Sequence, residues 1–342
     1  MIETIEKYKI GVVGAGSWGT ALANLLACKG YDIDLWVYED SVREEILSNR
    51  ENRTFLPEVE LPTRLVPHHE LSAVVSAKDL ILMVVPSHLV RHVAAKMASH
   101  IADNALIVSA SKGIENQTFL TMTRVLAEEL PQIPPGNFCV LSGPSFAKEV
   151  ARNVPTVVTV ASCDLEVAQT VQQIFATPYF RVYTNDDTIG VELGGSVKNV
   201  IAIAAGIIDG LGLGLNTRAA LITRGQTEIR RLGLKMGANP RTFTGLAGIG
   251  DLILTCTGDL SRNHTLGKKI GEGQKVDTIL SGMNMVAEGV KTSKSVYNLS
   301  RKLGVDMPIS HEIYHVLYEN VPPKEALFRL MTRDLKPELD ET

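Results

Sequence analysis

Lys198 is the residue whose chemistry is least explained by its surroundings. It stands in the stretch Gly194-Gly195-Ser196-Val197-Lys198-Asn199-Val200-Ile201-Ala202-Ile203-Ala204, an otherwise apolar helical pattern. An ammonium in such a helix needs an anionic partner, a shift to its neutral form, or a ligand. Its helical neighbours Gly194, Gly195, Ala202 and Ala205 are all small, which predicts a groove with room for a ligand. There a lysine can protonate a carbonyl oxygen as hydride reaches the carbon. The alternatives are an internal ion pair with Glu192 or Asp251, or a head group that escapes to water.

A second cluster is Gly14-Ala15-Gly16-Ser17-Trp18-Gly19, between a short apolar run and a helical pattern. Gly14 suits a tight turn, Gly16 a close approach of backbone to a pyrophosphate, and Gly19 close packing of helix on strand. The helix N-terminus would receive the negative charge. Glu39 lies 20 residues past Gly19, where a carboxylate can accept bonds from ribose hydroxyls, and Asp40 adjoins it. A carboxylate there favours NADH, while Arg43 one turn on leaves NADPH open. Ser261-Arg262-Asn263, in a stretch (260–273) that reads as a loop, offers a guanidinium fork with amide and hydroxyl donors for a phosphate. Ser111-Lys112-Gly113 follows another strand-like run, where ligands of sheet proteins collect.

A rival signal is His311-Glu312-Ile313-Tyr314-His315, which fits HExxH. Two imidazoles one turn apart could hold zinc, with Ser310 capping the helix and Glu319 or Glu325 as a recruited ligand.

The elements that must position these residues change character along the chain. Residues 8–13, 33–37, 80–85, 105–109 and 138–141 read as parallel strands covered on both faces. Helical patterns at 20–29, 41–49, 88–97 and 119–129 separate them, and strand–helix units continue through 156–161, 165–175 and 180–183. This alternation predicts a doubly wound, Rossmann-type, mostly parallel α/β sheet. Beyond about residue 187 the strand-like runs stop, and helices are expected over 189–209, 217–235 and 291–303. We therefore expect two domains, 1–186 for a dinucleotide and 187–342 for substrate and catalysis.

Composition excludes several classes. The 342 residues carry 34 Lys+Arg against 38 Asp+Glu, a net charge of −4, without the positive field that nucleic acid or an anionic membrane needs. No apolar run approaches the 18 residues that membrane insertion requires; the most apolar, 200–208, is closed by Lys198, Asn199 and Asp209. The first seven residues lack the apolar segment of a signal peptide. Cysteines at 28, 139, 163 and 256 form neither a disulfide framework nor a CxxC pair, as expected of a reducing cytosol.

Taken in order, GAGSWGTALA (14–23), VVPSH (84–88), SKG (111–113), SGPSFAKE (142–149), LGGSVKNVIAI (193–203), TRAALITRG (217–225), GIGDLILTCTG (248–258), SRN (261–263) and EGVKT (288–292) resemble the soluble NAD(P)-dependent glycerol-3-phosphate dehydrogenases. They run through nearly the whole chain. The resemblance implies reversible hydride transfer between NAD(P)H and dihydroxyacetone phosphate, giving sn-glycerol 3-phosphate for glycerophospholipids, without a metal. It implies Lys198 as proton donor and acceptor, Lys112 beside the nicotinamide, and Asp251 and Thr255 positioning Lys198 and the substrate oxygens. Gly143 and Ser145 would line the substrate pocket; Ser261, Arg262 and Asn263 would hold the phosphate. Ser17, Trp18, Ala147, Arg262, Val286 and Glu288 would touch the cofactor, with Gly14, Gly16, Gly19, Tyr38 and Glu39 framing its adenosine and pyrophosphate. Leu35-Trp36-Val37-Tyr38-Glu39-Asp40 looks more like the NADH-using eukaryotic members than the bacterial ones, which carry arginine or histidine there. A cytosolic homodimer is expected. A β-hydroxyacid dehydrogenase, the other reading of this architecture, would want asparagine where Ala202 stands.

Overall fold

Eight strands form one sheet in a computed structural model that describes residues 8–283 and 287–338. They are β1 (Ile10–Val13), β2 (Ile33–Trp36), β3 (Leu65–His68), β4 (Leu80–Met83), β5 (Leu106–Ser109), β6 (Phe138–Ser142), β7 (Thr156–Ala161) and β8 (Phe180–Asn185). Their order is β3-β2-β1-β4-β5-β6-β7-β8, parallel from β3 to β6, with β7 antiparallel to β6 and β8 parallel to β7. The connections reverse direction between β1 and β4. That leaves a crevice at the carboxyl ends of these strands, where α/β sheets bind ligands.

Strands β1 and β4 are buried along their whole length, as their unbroken apolar sequences require. The sequence pattern does not reveal β3, because Pro67 interrupts a four-residue run. Proline is tolerated because β3 lies at the sheet edge, paired only with β2.

Beyond β8 the elements are helical. The central one, Thr188–Gly210, is buried from Gly190 to Ile208. By length and apolarity it qualifies as a membrane span, contrary to the expectation that no run approaches that length, yet its whole apolar window is buried within the protein. Helices Gly214–Lys235, Asp251–Thr257, Arg262–Gly271 and Glu288–Leu303 surround it.

The expected loop at 260–273 is a correction. Ser261 caps helix Arg262–Gly271, its Oγ accepting from His264 N at 3.2 Å. Gly267 and Gly271 let that helix press against the central one. A Cβ on Gly267 would lie 2.0 Å from the Ile203 carbonyl oxygen, and one on Gly206 2.0 Å from that of His264. Glycine clusters that read as loop punctuation therefore serve contact between helices. The gap left between the expected helices at 189–209 and 217–235 likewise shrinks to a short turn between Gly210 and Gly214.

Candidate active site

The glycine turn is built for backbone contact. Gly14 has φ 118°, and a Cβ there would approach the Val84 carbonyl oxygen to 2.8 Å; one on Gly19 would reach the Gly14 carbonyl oxygen at 1.9 Å. Gly16 faces open space, with nothing within 4 Å of its would-be Cβ. Helix Ser17–Lys29 begins there with no side-chain cap, so its first amides remain available. The indole Nε1 of Trp18 is buried without a hydrogen-bond partner among the described residues. Ser17 Oγ donates to the Phe55 carbonyl oxygen at 2.5 Å. A dinucleotide pyrophosphate fits this cradle: the open side is backbone and the closed sides are occupied by protein.

At the end of β2, Tyr38 is 72% exposed and meets the Trp36 ring edge-on at 5.9 Å. Glu39 caps helix Asp40–Asn49 by position only, and its carboxylate is unpaired among the described residues. Asp40 is engaged by His69 at 3.1 Å and Arg43 at 3.7 Å. Of the two carboxylates, Glu39 is therefore the one free for a ribose.

The other half of the cleft is a charge cluster. Lys198 Nζ donates to Asp251 Oδ1 and, at 2.7 Å, to Thr255 Oγ1. Lys112 Nζ, arriving from the loop after β5, donates to Asp251 Oδ2 at 2.7 Å. Thr255 Oγ1 in turn donates to the Asp251 carbonyl oxygen at 2.7 Å. Two ammonium groups thus share one carboxylate that is 1% exposed. Burial lowers the Lys198 pKa to about 7, with Asp251 opposing the fall and Lys112 adding to it.

Of the sequence alternatives, the ion pair with Asp251 forms. The pair with Glu192 does not, because that carboxylate accepts from Thr123 N at 2.8 Å and from its hydroxyl. The ammonium does not escape to water either, since Lys198 is 5% exposed. The predicted groove beside Lys198 is corrected too. A Cβ on Gly194 would lie 2.4 Å from the Ala247 carbonyl oxygen, and one on Gly195 2.5 Å from Ser142 Oγ and 3.7 Å from Lys112 Cδ. The small residues admit protein, and this is how Lys112 and the 247–251 segment come to meet Lys198.

The remaining expected residues make the following contacts. Gly143 (φ 147°) turns the chain after β6 against Val158, and Ser145 Oγ donates to the Gly143 carbonyl oxygen at 3.0 Å. Ala147 begins the helix that follows. Glu288 accepts from Ser87 N at 3.2 Å and Ser87 Oγ at 2.6 Å, joining the helical half to the loop after β4. Burial raises the Glu288 carboxyl and lowers the Arg262 guanidinium pKa, and each one's charge opposes the other's shift. Asn263 Oδ1 accepts from Gly289 N and its Nδ2 donates to Asn199 Oδ1, both at 3.0 Å, which leaves a second Nδ2 hydrogen. Ser261 Oγ is the helix cap, accepting from His264 N, and keeps its own hydroxyl hydrogen. This helix start therefore offers the Arg262 fork together with the donors that Ser261 and Asn263 retain. Val286 lies outside the described residues.

Asn199, Ser87 and Ser142 escape the sequence reading. Asn199 carried a usable signal as a second polar residue in the apolar helix. Ser142 Oγ, buried against Gly195 without a hydrogen-bond partner among the described residues, carried none.

The HExxH reading fails on its own residues. His311 Nε2 bonds Ser300 Oγ at 2.7 Å, and both imidazoles meet the Tyr297 ring edge-on, at 5.0 and 5.6 Å. Ser310 is no cap; its helix starts at Pro308, and its hydroxyl donates to Glu228 at 2.8 Å. Among the described residues no group of three or more His, Cys, Asp or Glu could hold a metal.

Comparisons with known proteins agree along the chain. The profiles described as NAD-dependent glycerol-3-phosphate dehydrogenase N-terminus and C-terminus match residues 9–168 and 187–328. A Geobacter metallireducens protein named glycerol-3-phosphate dehydrogenase, NAD(P)+, is 56% identical over 330 residues, 96% of this chain and 98% of its own. The crystal structure of glycerol-3-phosphate dehydrogenase from Coxiella burnetii superposes with TM-score 0.92 at 41% identity, covering 96% of this chain and 99% of its own. That of Saccharomyces cerevisiae gives 0.80 at 29%, covering 94% and 98%.

Proposed function

The chain belongs to the NAD-dependent glycerol-3-phosphate dehydrogenase family and is an NAD(P)-dependent oxidoreductase of that kind, and we propose how its residues divide the reaction. The substrate is dihydroxyacetone phosphate, reduced reversibly to sn-glycerol 3-phosphate for glycerophospholipid synthesis. The division of the chain at 186/187 separates the two tasks, dinucleotide on the sheet and phospho-ketone on the helices.

Gly14, Gly16, Ser17, Trp18 and Gly19 receive the pyrophosphate through amides and the helix dipole. Tyr38 and Glu39 flank the adenosine, with Ala147, Glu288 and Val286 toward the reactive end. A nicotinamide dinucleotide bound there supplies the hydride that reaches the ketone carbon. Glu39, free while Arg43 is drawn to Asp40, supports NADH as the preferred cofactor.

Lys198 gives its proton to the carbonyl oxygen, and Thr255 and Asp251 aim its Nζ. With a pKa near 7, the ammonium can donate in reduction and the amine can accept in oxidation. Lys112 stabilises the charge that gathers on the oxygen. Ser261, Arg262 and Asn263 hold the phosphate, with the bonds of Ser261 to His264 N and of Asn263 to Gly289 N fixing the helix start that presents them. Gly143 and Ser145 close the pocket. The reading rests on one observation, the sharing of Asp251 between Lys112 and Lys198 at the carboxyl edge of the sheet. A cytosolic homodimer without membrane insertion or nucleic-acid binding completes it. Steady-state reduction of dihydroxyacetone phosphate, with NADH against NADPH, is the test. No turnover with either cofactor would refute the function, and a preference for NADPH would refute the role of Glu39.

A further inference from the structure

Beside the Ser87–Glu288 contact lies a cavity of about 380 Å³ that the proposed reaction leaves unused. Ser87, His88 and Asn116 line it from the sheet half, and Lys291, Lys294 and Tyr318 from the helical half. Lys291 and Lys294 are three apart on helix Glu288–Leu303, so they share a face. Neither has a carboxylate oxygen within ion-pair distance among the described residues, and Lys294 Nζ lies 5.9 Å from the Tyr318 ring centre. Glu115, the acid in the lining, is turned to the Arg91 guanidinium through two bonds of 2.8 Å, a cation it shares with Glu128 and Glu129. The two ammonium groups of the lining therefore have no direct carboxylate partner among the described residues, and Glu288, held by Ser87, is the acid that feels Lys291. Lys291 acts on His88 across it, adding to the burial that lowers the imidazole pKa. The Asn116 Oδ1 atom is buried without a hydrogen-bond partner among the described residues, and a turned amide would offer Nδ2 as a donor instead.

We propose that this cavity is a second anion site, taking a small dianionic phosphate between Lys291, Lys294, His88 and the Asn116 amide. Two compact ammonium charges with a neutral donor suit a tetrahedral phosphate, and the volume leaves room for a few further atoms. Because its walls come from both halves, an occupant ties them together. Ser87 also donates to Glu288, so occupancy bears on the dinucleotide end of the cleft.

Arg262→Ala removes the phosphate hold of the cleft and isolates the second site. Titration calorimetry of that variant with inorganic phosphate, and separately with glycerol 2-phosphate, should show one binding equivalent. Adding Lys291→Ala and Lys294→Ala should weaken it at least tenfold. Should the triple variant fail to fold, Lys294→Glu in the Arg262→Ala background serves, since Lys294 is exposed. Binding of both ions assigns recognition to the phosphate itself, and binding of glycerol 2-phosphate alone adds its organic tail; either supports the site. No binding to Arg262→Ala, or affinity unchanged by the lysine substitutions, overturns it. The kinetics of Arg262→Ala judge the catalytic reading separately, so the two can fail independently.

Discussion

The two sides of the cleft recognise charge by different means. On the sheet side, Gly14 to Gly19 offer backbone amides and a helix dipole, contributed by consecutive residues that start from a turn at Gly14, whose φ of 118° favours glycine. On the helical side, Lys198, Asp251 and Thr255, joined by Lys112 from the loop after β5, offer side-chain charges from bonded pairs up to 139 residues apart. The first arrangement is polar without being ionised, so pH hardly touches it. The second holds two cations on one buried anion and responds to every change in that balance. Binding of the dinucleotide can therefore be robust while proton transfer is tuned.

The largest test of this contrast is Lys198→Ala. It should lower turnover by about 10³-fold or more, within reach of a lost general acid and its electrostatic role. NADH affinity, measured by fluorescence titration, should change little; loss of both together would erase the distinction between the two sides.

Arg262→Ala should come next, raising KM for dihydroxyacetone phosphate by about 10²-fold, the scale of a lost charge-assisted hold on phosphate. An unchanged KM would move the phosphate elsewhere. Charge reversal on the sheet side, Glu39→Arg, should shift the NADPH-to-NADH ratio of kcat/KM by about tenfold toward NADPH, with KM for the phospho-ketone unaltered.

The smallest effect sharpens the picture most. The reductive reaction needs Lys198 charged, so its turnover should fall as pH rises through about 7, and the oxidative reaction should rise. Asp251 holds that pKa up, so Asp251→Asn should move the midpoint to lower pH. Lys112 holds it down, so Lys112→Met should move the midpoint higher. Profiles for both variants that superpose on the parent would show that the shared carboxylate does not govern the proton.

On the structural side, Gly206→Ala should destabilise the protein by about 1–3 kcal/mol, because the new methyl meets the His264 carbonyl oxygen rather than a side chain that can move. Thermal unfolding measures it. An unchanged midpoint would mean that the contact between the two helices can widen freely.

The chain itself, read in order, was enough for the alternation of strands and helices, the glycine turn after β1 and the anomaly of Lys198. Each depends on residues close together in sequence: a periodicity, a positive φ, a charge in an apolar run. Strand β3 was missed because Pro67 hides an edge strand, and helix Arg262–Gly271 because Gly267 and Gly271 look the same in a loop and at a close helix crossing. Only the folded arrangement decided that Lys198 pairs with Asp251 rather than Glu192, that Lys112 shares that carboxylate, and that Asn263 braces a helix start. Coulomb and hydrogen-bond energies depend on distances of a few ångströms between groups far apart in the chain, and packing alone sets those distances.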